Sequence, residues 1–142
     1  MRETPLETLT RLHKALAHPV RVRILAMLRG GELCVCQLNA VIALAPSTLS
    51  AHLADLKDAG LVAERKAGRW VHYRLAAEGV AETALVALWP SLADDQQVAD
   101  DDRFLHEVTS LPVETICRPG FSLAALRARC CPTPTQHRKE KT

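Results

Sequence analysis

A helix followed at once by a β-hairpin, over residues 46–75, restricts the fold of this chain more than any other feature. Pro46 suits the first turn of a helix, and Gly60 suits the position just after its end. Beyond Gly60 come two short segments, joined by Ala67-Gly68, and the second alternates apolar with polar side chains as a half-buried strand does. We therefore predict a helix from Pro46 to Gly60 and a hairpin with a basic tip over residues 61–75.

Apolar residues at helical spacing predict further helices on both sides of this unit. The predicted ranges are residues 5–17, 19–29, 32–43 and 77–92. Thr4 can cap the first helix, with Glu7 completing a capping box. The resulting order is four helices, a hairpin and a fifth helix. It indicates a mainly α fold with a β-hairpin, the winged helix-turn-helix arrangement, in which the third and fourth helices form the helix-turn-helix.

The chain is expected to have two parts. Residues 1–92 would form a winged helix-turn-helix domain for DNA binding and dimerisation, and residues 93–142 a cysteine-containing C-terminal extension that is partly disordered. Five aspartates between Asp94 and Asp102 predict a solvated linker at the start of this extension. Residues 104–111 and 122–131 could each form a short helix, and the basic end is expected to be mobile.

Composition narrows the class of protein. Apolar residues make up 48% of the chain, so the chain is expected to fold. Because the formal net charge is only +2, a basic surface for nucleic acid must come from a local cluster of charges. The amino-terminal residues lack the continuous apolar segment of a signal peptide, and no run is long enough to span a membrane. We therefore expect a cytoplasmic protein with reduced thiols. In a reducing compartment its five cysteines indicate ligands or buried core residues before disulfides.

Small polar side chains at the start of the predicted recognition helix would let that helix approach base edges. These residues are Ser47, Thr48, Ser50 and His52. The hairpin offers Arg65, Lys66 and Arg69 to phosphates. Two alternatives stay open: Ser47 could only cap the helix, and His52 could be a buried structural histidine. The ordered combination of helix pair and basic hairpin favours double-stranded DNA as partner.

Leucine, alanine and valine in the first and last helices suggest more apolar surface than one small domain can bury. A two-fold homodimer would cover this surface and would match an inverted-repeat operator. The alternative is that both helices only complete the core of the monomer.

Cys34 and Cys36 are the most chemically specific pair in the sequence. Side chains two apart on a regular helix point about 200° away from each other. Both residues lie on the predicted third helix, so we expect that helix to unwind locally before both sulfurs can reach one ion, and ligand binding would then disturb the fourth helix. Thiolate ligands select soft ions, and a trivalent metalloid needs only two or three sulfurs. Cys117, Cys130 and Cys131 could add a third ligand or form a second site; the alternative for each is an inert thiol.

Three segments resemble the ArsR/SmtB family of metal-responsive repressors. Residues 15–25 (ALAHPVRVRIL) are similar to the signature of the family's second helix, and residues 47–62 (STLSAHLADLKDAGLV) to its recognition helix. Residues 32–38 (ELCVCQL) closely resemble the ELCVC(D/E)L metal box of the arsenite-sensing and cadmium/lead-sensing members. The resemblance covers about residues 5–90. It implies a dimer that blocks the promoter of a resistance operon and is released by its inducer, As(III) or Sb(III), with Cd(II) or Pb(II) as the alternative and no constitutive cofactor.

The chain departs from this pattern at several positions. Gln37 replaces the acidic residue of the box, Asn39 stands where some arsenite sensors have a third cysteine, and no cysteine precedes Cys34. Residues 77–92 contain no His or Asp, although the zinc-sensing members place such ligands on the corresponding helix. The lack of these ligands on residues 77–92 argues against a zinc sensor.

Three other classes of function are alternatives to a metalloid-responsive repressor. In a thiol redox switch, Cys34 and Cys36 would oxidise to a disulfide and no metal would be involved. In an enzyme such as an arsenate reductase, we would expect a glycine-rich phosphate loop, a Cys-x5-Arg loop or paired carboxylates with a histidine, and the sequence has none of these. We therefore predict that the chain is not an enzyme and has no catalytic residues. A winged-helix interaction module without DNA or thiol ligands is the third alternative.

Overall fold

The computed structural model describes residues 2–117, which form a mainly helical fold with one small antiparallel sheet. Its elements are α1 (Pro5–Leu16), α2 (Pro19–Leu28), β1 (Leu33–Cys34), α3 (Val35–Ile42), α4 (Pro46–Asp58), β2 (Val62–Ala67), β3 (Trp70–Leu75), α5 (Gly79–Leu92), α6 (Gln96–Thr109) and α7 (Val113–Ile116). The winged helix-turn-helix prediction is confirmed: α3 and α4 form the helix-turn-helix, and β2 and β3 form the wing. No helix in the described range is long and apolar enough to cross a membrane.

The helix boundaries follow local chemistry. At the start of α1 the Glu7 amide donates to Thr4 Oγ1 (3.2 Å) and the Thr4 amide donates to Glu7 Oε2 (2.8 Å), so the predicted capping box is present. At the start of α2, the Val20 amide donates to His18 Nδ1 at 3.1 Å. These caps satisfy amide groups that have no partner within the helix.

The sheet has the strand order β1-β3-β2. The predicted hairpin is confirmed, with Val62 opposite Leu75 and Ala67 opposite Trp70. Strand β1 was not expected: the sequence pattern predicts one helix over residues 32–43, and this prediction is wrong for its first residues. Leu33 and Cys34 pair with Tyr73 and His72 of β3, and α3 begins only at Val35. A short apolar run has no periodicity that separates strand from helix, so its pairing partner decides.

The core lies between the helix-turn-helix and its neighbouring helices. Ile24 of α2, Leu38 of α3 and Leu53 of α4 are almost completely buried. Helix α6 packs against α2 and α3, and its Phe104 and Val108 join the same core. The predicted helix over residues 104–111 is thus the second half of a longer helix.

The aspartate-rich segment is not a solvated linker, and that prediction is wrong. Helix α6 begins inside it, capped by Asp95, whose carboxylate accepts from the Val98 amide at 2.9 Å. Asp101 is only 4% exposed, and it accepts from Nε (2.7 Å) and Nη2 (2.9 Å) of Arg23 on α2. A run of aspartates indicates solvent exposure only when no basic partner is available, and the partner here is 78 residues away in the sequence.

Candidate thiol site and nucleic-acid interface

Cys34 and Cys36 lie on the two sides of a change from strand to helix. Cys34 is the N-cap residue of α3 with extended backbone angles (φ −73°, ψ 150°), whereas Cys36 lies in the first turn. The Cys34 amide donates to Gln37 Oε1 at 2.8 Å, so Gln37 fixes the start of this helix. The expectation that the helix must unwind before both sulfurs can reach one ion is therefore wrong, because the two cysteines never share a regular helix.

Cys117 completes a group of three sulfurs. It follows α7, and its Sγ lies within 4.8 Å of the Sγ atoms of both Cys34 and Cys36. Cys36 and Cys117 form a disulfide with a Cα–Cα distance of 5.7 Å, and Cys34 is a free thiol that is 1% exposed. Within residues 2–117 no other group of three Cys, His, Asp or Glu side chains is close enough to share an ion. Cys130 and Cys131 lie outside the described residues, as does the predicted helix over residues 122–131.

Helices α6 and α7 carry Cys117 to this position. We call residues 96–117 the C-terminal strap. Its helix α6 lies on α2 and α3, and α7 contacts α3. Buried Val108 and Ile116 hold the strap against the core on either side of the turn between its two helices.

The residue before β1 joins the sulfur site to the wing. Glu32 forms an ion pair with Arg65 of β2, and its Oε1 lies 3.8 Å from Nδ1 of His72 on β3. Hydrogen bonding from Arg65 lowers the pKa of the Glu32 carboxyl. Sequence reasoning missed Glu32, because nothing in its own segment indicates a cationic partner 33 residues away.

The start of α4 presents small polar side chains to solvent. Ser47, Thr48 and Ser50 are exposed, while Leu49 between them is buried. The N-cap residue of α4 is Ala45 and no side chain caps it, so the alternative that Ser47 merely caps this helix is wrong.

His52 points back toward α2 and is half-buried. Its ring centroid lies 4.4 Å from that of His18, with the two rings tilted by 49°. Its Nδ1 is buried and has no hydrogen-bond partner among the described residues. Burial, with a smaller contribution from His18, lowers the pKa of His52. This position agrees with the alternative of a structural histidine as well as with a role near DNA.

Two of the three predicted phosphate-binding residues of the wing form no ion pair with another residue in the described part of the chain. Lys66 and Arg69 are exposed at the end of the hairpin, and the Arg69 guanidinium lies 5.3 Å from the centre of the Trp70 ring. Arg65 is exposed too, but it is engaged by Glu32. At the base of the wing, Tyr73 Oη donates to Glu64 Oε2 at 3.0 Å, and burial together with this bond raises the pKa of Tyr73 to about 12.

A helix-turn-helix followed by a two-stranded wing, whose strand β3 also pairs with β1, defines this chain as a winged helix-turn-helix protein. Residues 18–64 match the sequence profile described as "Bacterial regulatory protein, arsR family". The arsenic resistance transcriptional regulator ArsR2 of Pseudomonas putida is 34% identical over 109 residues, which is 73% of this chain and 92% of that relative. The chain belongs to the arsR family of bacterial regulatory proteins, which are DNA-binding regulators and not enzymes.

One further relative and one solved structure are also similar to this chain. The arsenic resistance transcriptional regulator ArsR1 of Pseudomonas putida is 46% identical over 63 residues, 44% of this chain. That match spans only about half (49%) of the relative's length. Among solved structures, the homodimeric winged helix-turn-helix DNA-binding domain of Mb0332 from Mycobacterium bovis has a TM-score of 0.53 at 37% identity. This structural match covers 62% of the present chain and 82% of the Mb0332 domain.

Proposed function

We propose that this protein is a cytoplasmic repressor of a metalloid resistance operon, released from its operator when As(III) or Sb(III) binds the thiols of Cys34, Cys36 and Cys117. The observation that carries the proposal is the meeting of these three sulfurs within 4.8 Å of one another. Sulfurs bound to one ion at about 2.3 Å, the zinc–thiolate distance, lie at most about 4.6 Å apart, so little movement is needed.

The chemistry of the donor set fits a trivalent metalloid. Arsenous acid, As(OH)3, would exchange three As–O bonds for three As–S bonds, release three waters and change no oxidation state. Cys36 and Cys117 must be reduced for this reaction, so the disulfide form cannot bind the metalloid through these two residues. Zn(II) usually takes four nitrogen or sulfur ligands, whereas Cd(II) and Pb(II) are soft enough to be the alternative inducers.

Operator DNA would contact α4 and the wing. Ser47, Thr48 and Ser50 would face the major groove, with His52 at the edge of this surface, while Lys66 and Arg69 would bind phosphates. Arg65 would add a further phosphate contact only when Glu32 releases it.

The thiol site lies where it can influence both parts of this surface. Helix α3 precedes α4 across a short turn, and β1, which ends at Cys34, pairs with the wing strand β3. A metalloid that draws the three sulfurs together would act on the helix-turn-helix through Cys36 and on the wing through Cys34. The ligand can shift the DNA equilibrium only as far as it prefers the arrangement that binds DNA poorly.

A homodimer is part of the proposal. Leu6 and Leu9 of α1 are 74% and 43% exposed, and Val80 and Val86 of α5 are 58% and 55% exposed. These are the large hydrophobic side chains that the described residues leave in solvent, and a second copy would cover them. Two recognition helices related by a two-fold axis would then read an inverted repeat.

Fluorescence anisotropy of labelled operator DNA tests the proposal. Arsenite and antimonite should release the reduced wild-type protein, and Cys34→Ser/Cys36→Ser should stay bound. Cys117→Ser should respond only at higher arsenite concentration, because two thiols remain. Cys130→Ser/Cys131→Ser is the matched control and should respond like the wild type. Release of the Cys34→Ser/Cys36→Ser variant by arsenite would refute the proposal, and a response only to Cd(II) or Pb(II) would assign the alternative inducers.

A thiol redox switch is the second candidate, and the Cys36–Cys117 disulfide favours it. Two thiols would lose two electrons and two protons to an oxidant such as hydrogen peroxide, which becomes two waters, and the S–S bond would link α3 to the strap. For such a switch the sequence predicts a different pair, Cys34 and Cys36. Peroxide should then release wild type and Cys34→Ser, but not Cys117→Ser, and a thiol reductant should restore binding. Under the metalloid proposal alone, peroxide would leave the reduced protein on the operator.

A further inference from the structure

We infer that Arg23 and Asp101 are positioning residues for the third thiol: their ion pair fixes the C-terminal strap so that Cys117 meets Cys34 and Cys36. The inference rests on the proposed function, since metalloid binding is what a third thiol would serve. It concerns two residues that are not members of the three-sulfur group and that lie 78 positions apart in the sequence.

The ion pair between Arg23 and Asp101 is bidentate and therefore directional. Both oxygens of Asp101 are used: Oδ2 accepts from Arg23 Nε (2.7 Å), and Oδ1 accepts from Arg23 Nη2 and from Gln97 Nε2 (2.9 Å each). A two-bond fork of this kind fixes orientation as well as distance. Hydrogen bonding to Asp101 also raises the pKa of Arg23, so the guanidinium stays charged.

Apolar packing alone would not define the position of α6 as closely. Phe104, Leu105 and Val108 bury the helix against the core, but burial is non-directional and depends mainly on area. A helix held only by such contacts can rotate or slide along its groove with little change in buried area. Asp101 is the only charged side chain that the described residues bury, and it lies in the same helix.

The thiol site tolerates only small displacements. One residue of slip moves a helix by about 1.5 Å and one turn by about 5.4 Å. The second of these exceeds the separation of the three sulfurs, which is at most 4.8 Å. Displacement of the strap would therefore remove Cys117 from the site, while Cys34 and Cys36, both outside the strap, would keep their places.

The test compares a ligand that takes three thiols with one that takes two. Arsenite has three exchangeable hydroxyls, whereas phenylarsonous acid, PhAs(OH)2, has two and can use Cys34 and Cys36 alone. Binding of each is measured by titration on the full reduced chain carrying Cys130→Ser/Cys131→Ser, together with operator affinity. The test variant is Asp101→Asn, and Asp100→Asn is the matched control, because Asp100 makes an exposed ion pair with Arg103 on the same helix.

Asp101→Asn should lower the arsenite affinity by about 10-fold to 100-fold, the range found when groups that orient metal ligands are removed. Its affinity for phenylarsonous acid and for the operator should stay within about twofold of the parent, and Asp100→Asn should match the parent in all three measurements. Gln97→Ala, which keeps the Arg23 pair, should give a smaller loss in the same direction, and it replaces Asp101→Asn if that variant does not fold.

Unchanged arsenite affinity in Asp101→Asn, or in Gln97→Ala where that variant replaces it, would overturn the inference. Equal losses for arsenite, phenylarsonous acid and DNA would overturn it too, because they would show a general weakening of the fold. Neither result would affect the proposed function, which fails only if arsenite does not act on the parent protein through its cysteines.

Discussion

Cys34 lies directly opposite His72 in the antiparallel pairing of β1 with β3, so the sulfur site and the wing share one sheet. The neighbouring residue Glu32 adds a side-chain link to the same wing through Arg65. Under the proposed function, a ligand at Cys34 would therefore act on the wing directly through this sheet, as well as through α3 and α4.

Glu32→Gln should strengthen operator binding at low salt. The change removes the negative partner of Arg65 and frees its guanidinium for a phosphate. Each added phosphate contact steepens the slope of log affinity against log salt by about 0.9, so the variant should show a steeper slope and the largest gain at low salt. Glu107→Gln, an equal charge change on the exposed face of α6, is the control. An identical slope for Glu32→Gln and the wild type in anisotropy titrations would show that Arg65 does not reach the DNA.

Gln37→Ala should destabilise the start of α3. The Cys34 amide loses its acceptor, and loss of a helix-capping bond costs about 0.5–2 kcal/mol. Gln37→Glu keeps an acceptor oxygen at this position and places a negative charge at the helix N-terminus, so it should retain the stability. Urea unfolding of the three proteins measures the difference. An equal loss of stability in both variants would mean that the hydrogen bond from the Cys34 amide does not explain the effect of Gln37.

Phe104→Ala should lower the free energy of unfolding by about 3–5 kcal/mol, as expected for a large aromatic side chain removed from a core. Phe104 is 4% exposed and joins the same hydrophobic cluster as the residues of α2 and α4. Glu107→Ala, three residues along the same helix and exposed, should change stability by less than about 0.5 kcal/mol. A small effect of Phe104→Ala, seen in chemical denaturation, would mean that α6 is not part of the cooperative fold.

Stability should fall as the pH drops below the ordinary histidine range, and His52 should contribute to this fall. Its pKa is lowered by burial and then by His18 and Arg21, with Asp55 acting in the opposite direction. The folded state therefore binds the proton less readily than the unfolded state does. The stabilisation is complete above the unfolded pKa of about 6.5 and is lost as the pH falls through the lower folded pKa.

His52→Gln should flatten this pH dependence. Urea unfolding between about pH 5 and pH 8, the interval in which histidine titrates, gives the comparison. His106→Gln removes an exposed histidine of α6 and should keep the wild-type profile. If the free energy of unfolding of His52→Gln falls as steeply below pH 6.5 as that of the wild type, burial of His52 does not cause the pH dependence.

The sequence alone determined the local elements of this protein. Thr4 and Glu7 predict their capping box, Leu49, Leu53 and Leu56 predict the buried face of α4, and alternation after Gly68 predicts the second strand of the wing. Each depends on contacts between residues close in the chain, which a periodic pattern can reveal. The pattern ELCVCQL also indicated a thiol site, because its cysteines are close in sequence.

Only the tertiary structure decided how that site is built. Cys36 and Cys117 are 81 residues apart, and Arg23 and Asp101 are 78 apart, so no local pattern could pair them. The strand at Leu33–Cys34 depends on β3, which completes its hydrogen bonds from almost 40 residues away. Pairing over such distances is selected by the burial of the whole core and by the match of charged and hydrogen-bonding groups across it. For that reason the sequence identified one pair of sulfurs and several candidates for a third, and the fold showed that Cys117 lies beside the pair.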